Sequence, residues 1–191
     1  MDSPILKLKV VLLGDSSVGK TCLINRLITG RFNPKEETTI NAMHNIYDFN
    51  FQEKIVQLQI WDTAGEEKFH YLAPMYYHGA VGALIVYDIT DEPSFERAKF
   101  WIEELHRNAT TPVIFLVGNK IDLENQRKIS LESIESFAEE NSLFLMETSA
   151  KTGENVEITF RALAKQVSGL SQIDTNSIII QNDEKKKGHC C

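Results

Sequence analysis

The chain carries the run Gly14-Asp15-Ser16-Ser17-Val18-Gly19-Lys20-Thr21 directly after an apolar stretch, Leu8 to Leu13. This run fits the pattern G-x-x-x-x-G-K-[ST], a glycine-rich loop that joins a buried strand to a helix and binds phosphate. The backbone N–H groups of such a loop face one anion, and the helix N-terminus adds partial positive charge. Lys20 can reach the β- and γ-phosphates of a nucleotide, and the Thr21 hydroxyl can bind Mg²⁺. The alternative, a solvated glycine turn, is disfavoured by the strand signal before the loop and the helix signal after it.

The bulk composition excludes several other classes of protein. A length of 191 residues favours one domain, and a net charge of −7 argues against nucleic-acid binding. The chain lacks an apolar run of about 18 residues, the length of a membrane-spanning helix, and its N-terminus lacks the basic start of a signal peptide. Only three cysteines are present, two of them adjacent at the end of the chain, which favours a reducing, cytosolic setting.

Apolar runs alternate with amphipathic segments, which predicts the α/β class. The predicted strands are Leu6–Leu13, Ile46–Phe51, Ile55–Trp61, Ala83–Tyr87, Val113–Gly118 and Phe144–Glu147. The predicted helices are Lys20–Thr29, Glu66–Tyr77, Ser94–Arg107, Leu131–Asn141 and Val156–Gly169. The second and third strands alternate polar and apolar residues, which predicts an antiparallel edge hairpin. The remaining strands are continuously apolar, as in a parallel sheet covered by helices on both faces. We therefore expect a six-stranded, mostly parallel sheet.

Local signals divide this pattern further. Ser94 and Ser130 are predicted N-caps, and Pro93 and Pro112 are expected in loops. Residues 1–170 are predicted to form one globular domain. From residue 171 to residue 191 the composition is rich in Asn, Gln, Asp and Lys, which predicts a flexible tail.

Asp62 and Asp122 each follow a predicted strand, at the sheet edge where open α/β sheets bind ligands. Asp62, in Trp61-Asp62-Thr63-Ala64-Gly65, can hold Mg²⁺ through water. Taken alone, an acidic residue after a strand is a weak signal, since many such residues cap helices. Its position after the phosphate loop in chain order strengthens the interpretation.

The run Asn119-Lys120-Ile121-Asp122 indicates which base is bound. Guanine presents N1–H and N2–H₂ as parallel donors, and the Asp122 carboxylate can accept from both. Adenine lacks this pair of donors, so Asp122 selects guanine. The Asn119 amide can meet the other edge of the base and tie loops together, and the Lys120 stem can lie over the base plane. Ser149-Ala150-Lys151 offers a backbone N–H to guanine O6. Taken alone, the run Asn119-Lys120-Ile121-Asp122 is better explained as a surface turn that contains an aspartate.

These motifs, with Thr39 nineteen residues after the loop lysine, resemble those of Ras-type small GTPases over residues 5–169. Leu72–Tyr77, Val86–Thr90 and the terminal Cys190-Cys191 resemble the Rab branch, and the first of these resembles early-endosomal Rabs. The resemblance implies the P-loop small GTPase fold, GTP or GDP with Mg²⁺ as cofactors, and a monomer.

The resemblance also implies a role for each matching residue. The implied Mg²⁺ ligands are Thr21, Thr39 and Asp62, and the implied hydrolytic residues are Lys20, Thr39, Gly65 and Glu66. The implied nucleotide-binding residues are Ser16, Ser17, Val18, Gly19, Lys20, Thr21, Cys22, Phe32, Thr39, Gly65, Asn119, Lys120, Asp122, Ser149, Ala150 and Lys151. Thr39 and Gly65 sense the γ-phosphate, whose loss releases their loops. Phe32 packs against the base edge or, alternatively, forms a small contact with the core.

The chain departs from the family pattern at Glu66, where glutamine usually orients the attacking water. A carboxylate cannot donate an N–H to the transition-state oxygens, so we predict slow hydrolysis without an activating protein. A raised pKa or a water-mediated base role is the alternative. A non-hydrolysing GTP-binding scaffold is the second functional hypothesis. The third, an ATP-dependent kinase, is disfavoured by Asp122.

The implied partners are an exchange factor, a Rab-type activating protein, a dissociation inhibitor or escort protein, and effectors. Trp61 and Tyr76 match two members of an aromatic triad that contacts effectors, but the third position holds His44. Terminal Cys190 and Cys191 match sites of double geranylgeranylation. The resemblance therefore implies the cytoplasmic face of an endomembrane, with endosomes as one candidate, and cycling through the cytosol.

Overall fold

The computed structural model describes residues 4–39, 42–52, 54–63, 73–108 and 113–170. Its strands are β1 (Ile5–Leu13), β2 (Met43–Asn50), β3 (Ile55–Asp62), β4 (Gly82–Asp88), β5 (Val113–Asn119) and β6 (Phe144–Thr148). Its α-helices are α1 (Lys20–Thr29), α2 (Ala73–Tyr77), α3 (Glu92–Asn108), α4 (Leu131–Glu140) and α5 (Val156–Val167), and a 3₁₀ helix spans Ile121–Gln126.

The strands form one sheet in the order β2-β3-β1-β4-β5-β6. β2 is antiparallel to β3, and every other neighbouring pair is parallel. The predicted six-stranded sheet with one antiparallel edge hairpin is therefore confirmed.

Alternation along β1 explains why helices cover both faces of this sheet. Val10 and Leu12 join a core cluster that includes Leu23 of α1, while Val11 and Leu13 join a second cluster across the sheet. Because successive side chains of a strand point to opposite faces, an apolar run in the central strand supplies both clusters. The first cluster also holds α5 residues, and the second holds residues of α3 and α4.

The structure differs from the sequence prediction at the start of α3. The prediction of Ser94 as the N-cap is wrong, because the helix begins at Glu92 and includes Pro93 in its first turn. Proline is tolerated there because the first N–H groups of a helix lack intrahelical acceptors. The Ser94 hydroxyl instead donates to Asp91 O at 2.6 Å and accepts from Asp88 N at 3.0 Å. Pro112 lies outside the described residues.

The other boundaries agree more closely. Ser130 is confirmed as the N-cap of α4, because its side chain accepts from Ser133 N at 3.3 Å. β2 begins at Met43 rather than Ile46, since its ladder with β3 continues as far as Asp62. Of the helix predicted over 66–77, the described part shows Ala73–Tyr77, and residues 64–72 lie outside it.

Residues 171–191 lie outside the described part, so the division into a domain and a tail stays a prediction. Among the helices of the described ranges, none combines the length and apolarity needed to cross a bilayer.

α5 offers a matched test of the core. Leu163 is fully buried against the sheet, whereas Ile158 on the same helix is 52% exposed. We expect Leu163→Ala to lower the free energy of unfolding by about 2–5 kcal/mol, because the cavity is only partly refilled. Ile158→Ala should change it by less than about 1 kcal/mol. Urea denaturation followed by circular dichroism measures both, and equal midpoints for the two variants would contradict this packing.

Candidate functional site

A cavity of about 420 Å³ lies where the parallel strands end. It is lined by loops that follow β1, β5 and β6 and by the segment after α1. The predicted site residues that line it are Ser16, Ser17, Gly19, Lys20, Thr21, Cys22, Phe32, Thr39, Asn119, Lys120, Asp122, Ala150 and Lys151. Residues more than a hundred positions apart in the chain thus share one cavity, as their strand-end positions predict.

Other predicted residues lie behind the cavity wall or outside the described ranges. Val18 belongs to the core cluster under α1, Asp62 is 1% exposed, and Ser149 is fully buried. Gly65, Glu66, Cys190 and Cys191 lie outside the described residues.

The structure adds wall residues that were not among the predicted site residues. They are Asn33, Pro34, Glu36, Glu37, Thr38, Thr63 and Leu123. Five of them lie between Phe32 and Thr39, which are both predicted site residues. This position in the chain is the signal from which they could have been predicted. Burial raises the pKa of both Cys22 and Asp62, and the charge of the Glu36 carboxylate adds to each rise.

Lys20 is the buried cation of the phosphate loop. It is 6% exposed, and its Nζ donates to Gly14 O at 2.9 Å and to Asp15 O at 2.7 Å. Burial lowers the pKa of Lys20 to about 8, although the charges of Asp62 and Asp15 partly oppose the shift. Its hydrogen-bond acceptors are neutral carbonyls, so the ammonium is incompletely compensated. An anion in the cavity would stabilise it.

Two hydroxyls and one carboxylate meet beside Lys20. Thr21 Oγ1 lies 2.7 Å from Thr39 Oγ1 and donates to Asp62 Oδ2 at 2.6 Å. The other oxygen, Asp62 Oδ1, is buried without a hydrogen-bond partner among the described residues. Burial raises the pKa of Asp62, and the hydrogen bond from Thr21 and the charge of Lys20 oppose this rise.

This oxygen cluster fits Mg²⁺. Hard oxygen ligands suit that ion, which keeps several waters and accepts further oxygens from substrate phosphates rather than from an all-protein cage. The described residues contain no cluster of three or more His, Cys, Asp or Glu side chains that could hold a metal ion. An ion or its water would also satisfy the unpartnered Asp62 Oδ1.

The Asn119 side chain connects the phosphate loop, the end of β6 and the loop after β6. Its Nδ2 donates to Val18 O at 2.8 Å, and its Oδ1 accepts from Ala150 N at 3.1 Å and from Thr148 Oγ1 at 3.3 Å. The tie between loops that was predicted for Asn119 is therefore present. It also explains Gly19, where φ is +97° and a Cβ atom would lie 2.4 Å from Asn119 Nδ2.

The far end of the cavity holds the carboxylate predicted to select guanine. Asp122 Oδ1 accepts from Ser149 Oγ at 2.6 Å, and Oδ2 lies 3.4 Å from Lys151 Nζ. Lys120 Nζ lies 2.6 Å from Asp88 Oδ2, which fixes the end of its stem at the cavity wall. Burial works against ionisation of Asp88, yet hydrogen bonds from Lys120 and Thr90 keep its pKa below the ordinary value.

The position of Phe32 is compatible with both predicted contacts, one with the edge of the base and one with the core. Its side chain is partly buried against the core cluster under α1, and the same residue lines the cavity. Its contact with a base therefore stays a prediction.

Ring side chains from β2, β3 and α2 lie side by side, and two of them, Trp61 and Tyr76, are also partly buried against the second core cluster. The ring centroids of His44 and Trp61 are 5.2 Å apart, and those of Trp61 and Tyr76 are 6.4 Å apart. Lys9 Nζ lies 4.9 Å from the Trp61 centroid on the side of the neighbouring strand. The three positions predicted to contact effectors thus form one continuous surface.

The buried lysine, the oxygen cluster and the strand-end loops define a P-loop nucleotide-binding protein. A sequence model of the Ras family matches residues 9–169. This match covers most of the chain, and the chain belongs to the Ras family of small GTPases. Ras-family proteins are GTP/GDP switches with GTP hydrolase activity. Guanine nucleotide and Mg²⁺ are their general cofactors, and exchange factors and activating proteins are their general regulators.

The low pKa of Lys20 predicts a pH dependence of nucleotide affinity. The free protein loses the Lys20 proton as the pH rises through about 8, whereas bound phosphate favours the charged lysine. Binding must then take up a proton above that pH, so GDP affinity should fall by up to about tenfold per pH unit and be flat below pH 8. Competition against a fluorescent GDP from pH 7 to 9 measures it. Lys20→Arg, which stays charged, is the control, and the same slope in that variant would rule out Lys20 as the cause.

Proposed function

We propose that the chain is a Rab-type small GTPase, a membrane-anchored switch that recruits effectors in vesicle traffic. The observation that supports the switch most directly is the contact of Thr21 with both Thr39 and Asp62. These three residues come from the phosphate loop, the segment before β2 and the end of β3. A ligand that binds all three can therefore hold two otherwise separate segments against the phosphate loop.

The division of roles follows the geometry. Mg²⁺, when bound, neutralises charge that develops between the β- and γ-phosphates. Thr21 and Thr39 would hold it through their hydroxyls, and Asp62 would act through water. Lys20 would exchange its carbonyl acceptors for phosphate oxygens. Loss of the γ-phosphate would remove a ligand from the Thr39 segment and release it.

Guanine is the base that fits the far end of the cavity. The Asp122 carboxylate accepts a hydrogen bond from Ser149 and retains acceptor capacity for the two donors of guanine. Adenine presents an acceptor at N1 where guanine presents a donor. The motif Ser149–Lys151 would supply the N–H to O6.

The Rab branch is supported by the surface formed by His44, Trp61 and Tyr76. Because His44 replaces a phenylalanine, this surface is more polar than the usual aromatic triad. We therefore propose that it contacts effectors different from those of the early-endosomal Rabs that the sequence resembles. We also propose that the contact with effectors takes place on an endomembrane, with endosomes as a candidate.

We propose that Glu66 makes hydrolysis slow until an activating protein supplies the missing groups. A non-hydrolysing scaffold is the second candidate, and the same residue favours it. The two differ in whether a protein that brings both arginine and glutamine restores turnover.

Single-turnover assays with GTP test the hydrolytic proposal. Glu66→Gln should speed hydrolysis by about tenfold or more, because a neutral amide can orient water and donate an N–H. Glu67→Gln, at the adjacent carboxylate, should change the rate less than about twofold. ATP should not compete for binding. Equal rates for wild type and Glu66→Gln would refute the proposed effect of Glu66, and no turnover with a Rab-type activating protein would establish the scaffold.

We propose that Cys190 and Cys191 each carry a geranylgeranyl group. Two lipids give stable membrane attachment, whereas one gives marginal, reversible binding. Lys185–Lys187 would add attraction to an anionic leaflet of up to about 1 kcal/mol per residue, partly offset by the acidic residues before them.

Mass spectrometry after incubation with escort protein, transferase and geranylgeranyl diphosphate tests the anchor. Wild type should gain two lipids, Cys190→Ser and Cys191→Ser one each, and the double variant none. Vesicle flotation should then retain the doubly modified chain and lose much of the singly modified ones. A single lipid on wild type would contradict the proposal.

A further inference from the structure

Arg26 reaches from α1 to the loop at the base end of the cavity. Its Nε donates to Ala150 O at 2.8 Å, and one terminal nitrogen donates to Lys151 O. The other terminal nitrogen donates to Gly30 O at 2.6 Å, at the end of the same helix. The guanidinium is thus anchored to its own helix and holds two successive carbonyls of a segment more than 120 residues away.

The loop also packs along the stem of this arginine. A Cβ atom built on Gly153, where φ is +91°, would lie 3.5 Å from Arg26 Cδ. The planar fork of arginine fixes both of its acceptors in one plane, which a lysine ammonium does not do. Arg26 therefore constrains the orientation of the loop as well as its distance from α1.

Holding the Ala150 carbonyl also sets the direction of an N–H. In a trans peptide the C=O of one residue and the N–H of the next point in opposite directions within one plane. The Lys151 N–H therefore points away from Arg26. Within this motif, Ser149 N donates to Glu154 O at 3.0 Å and Ala150 N donates to Asn119 Oδ1 at 3.1 Å. Of the three N–H groups, the one on Lys151 has no acceptor among the described hydrogen bonds, and Lys151 lines the cavity.

The same helix carries the phosphate-binding lysine. α1 begins at Lys20, and Arg26 lies six residues later, about 9 Å along the axis. One rigid element therefore fixes the distance between the phosphate loop and the loop at the base end.

We propose that Arg26 is a positioning residue for guanine recognition. By holding the Ala150 and Lys151 carbonyls, it aims the Lys151 N–H at the O6 atom of the base. This inference rests on the proposed placement of guanine between Asp122 and the Ser149–Lys151 motif. It assigns to Arg26 the orientation of the Lys151 N–H that contacts O6, and it leaves the N1 and N2 contacts to Asp122.

Dissociation constants for three nucleotides separate these contacts. GDP offers O6, N1–H and N2–H₂, and IDP lacks only the N2 amino group. 2-Aminopurine riboside diphosphate lacks O6 and, with it, the N1 proton. Full-length protein with Mg²⁺ is titrated in competition with a fluorescent GDP. The variants are Arg26→Met, Arg26→Lys and, as a matched control, Arg107→Met, which removes an exposed arginine paired with Glu103 on α3.

Arg26→Met should weaken GDP and IDP by the same factor, about tenfold or more, because each loses a correctly aimed donor to O6. It should weaken the 2-aminopurine ligand by less than about threefold, since that ligand has no O6 to lose. Arg26→Lys should show the same ligand pattern with a smaller factor. It serves as the test variant if Arg26→Met does not fold. Arg107→Met should bind all three ligands as wild type does.

Three results would overturn the inference: unchanged GDP affinity, equal weakening of all three ligands, or weakening of GDP without IDP. The second would indicate general loosening of the fold, and the third would indicate an effect on Asp122. A wild-type protein that does not prefer GDP over IDP and ADP would instead refute the proposed guanine site, which keeps the two failures distinct.

Discussion

The buried amide of Asn119 is the interaction on which the arrangement of the site depends. It is 1% exposed and hydrogen-bonds the phosphate loop, β6 and the loop after β6. A buried amide is costly unless its donors and acceptors are satisfied, so the three segments must stay close to it. The approach is close enough to require glycine at position 19. Asn119 thus shapes both the end of the cavity that holds Lys20, proposed for the phosphates, and the end that holds Asp122, proposed for the base.

The described structure leaves complementary groups unsatisfied at the phosphate end. Lys20 is a buried cation with neutral acceptors, and Asp62 has a buried oxygen without a partner. Each lowers the stability of the ligand-free protein, because burial disfavours uncompensated charge and unpaired polar atoms. A phosphate with its metal ion would satisfy both. Such an arrangement trades stability of the free protein for affinity, which is expected at a binding site.

Strand-end geometry explains how much could be predicted from the sequence. Motifs that follow apolar runs must converge at one edge of a parallel sheet, so Lys20, Asp62 and Asn119 could be placed together without a structure. The start of β2 could not be predicted, because its first residues are mostly polar and do not show the pattern of a strand. Glu36 and Glu37 could be suspected as wall residues only from their position between Phe32 and Thr39, and the contacts of Arg26 with the loop after β6 have no signal in the sequence. These contacts join segments distant in sequence, which periodicity and composition do not encode.

Ala150 shows why the two ends of the cavity should behave differently. Its N–H is held by Asn119 from the β5 side, and its carbonyl is held by Arg26 from the α1 side. A backbone fixed at both groups is pre-organised, so base binding costs little further ordering. Thr39, by contrast, contacts the described site through one hydroxyl pair with Thr21. A ligand that keeps its base and loses its terminal phosphate would therefore stay bound at the rigid end while the segment around Thr39 is released, which is the requirement for a switch that persists through hydrolysis.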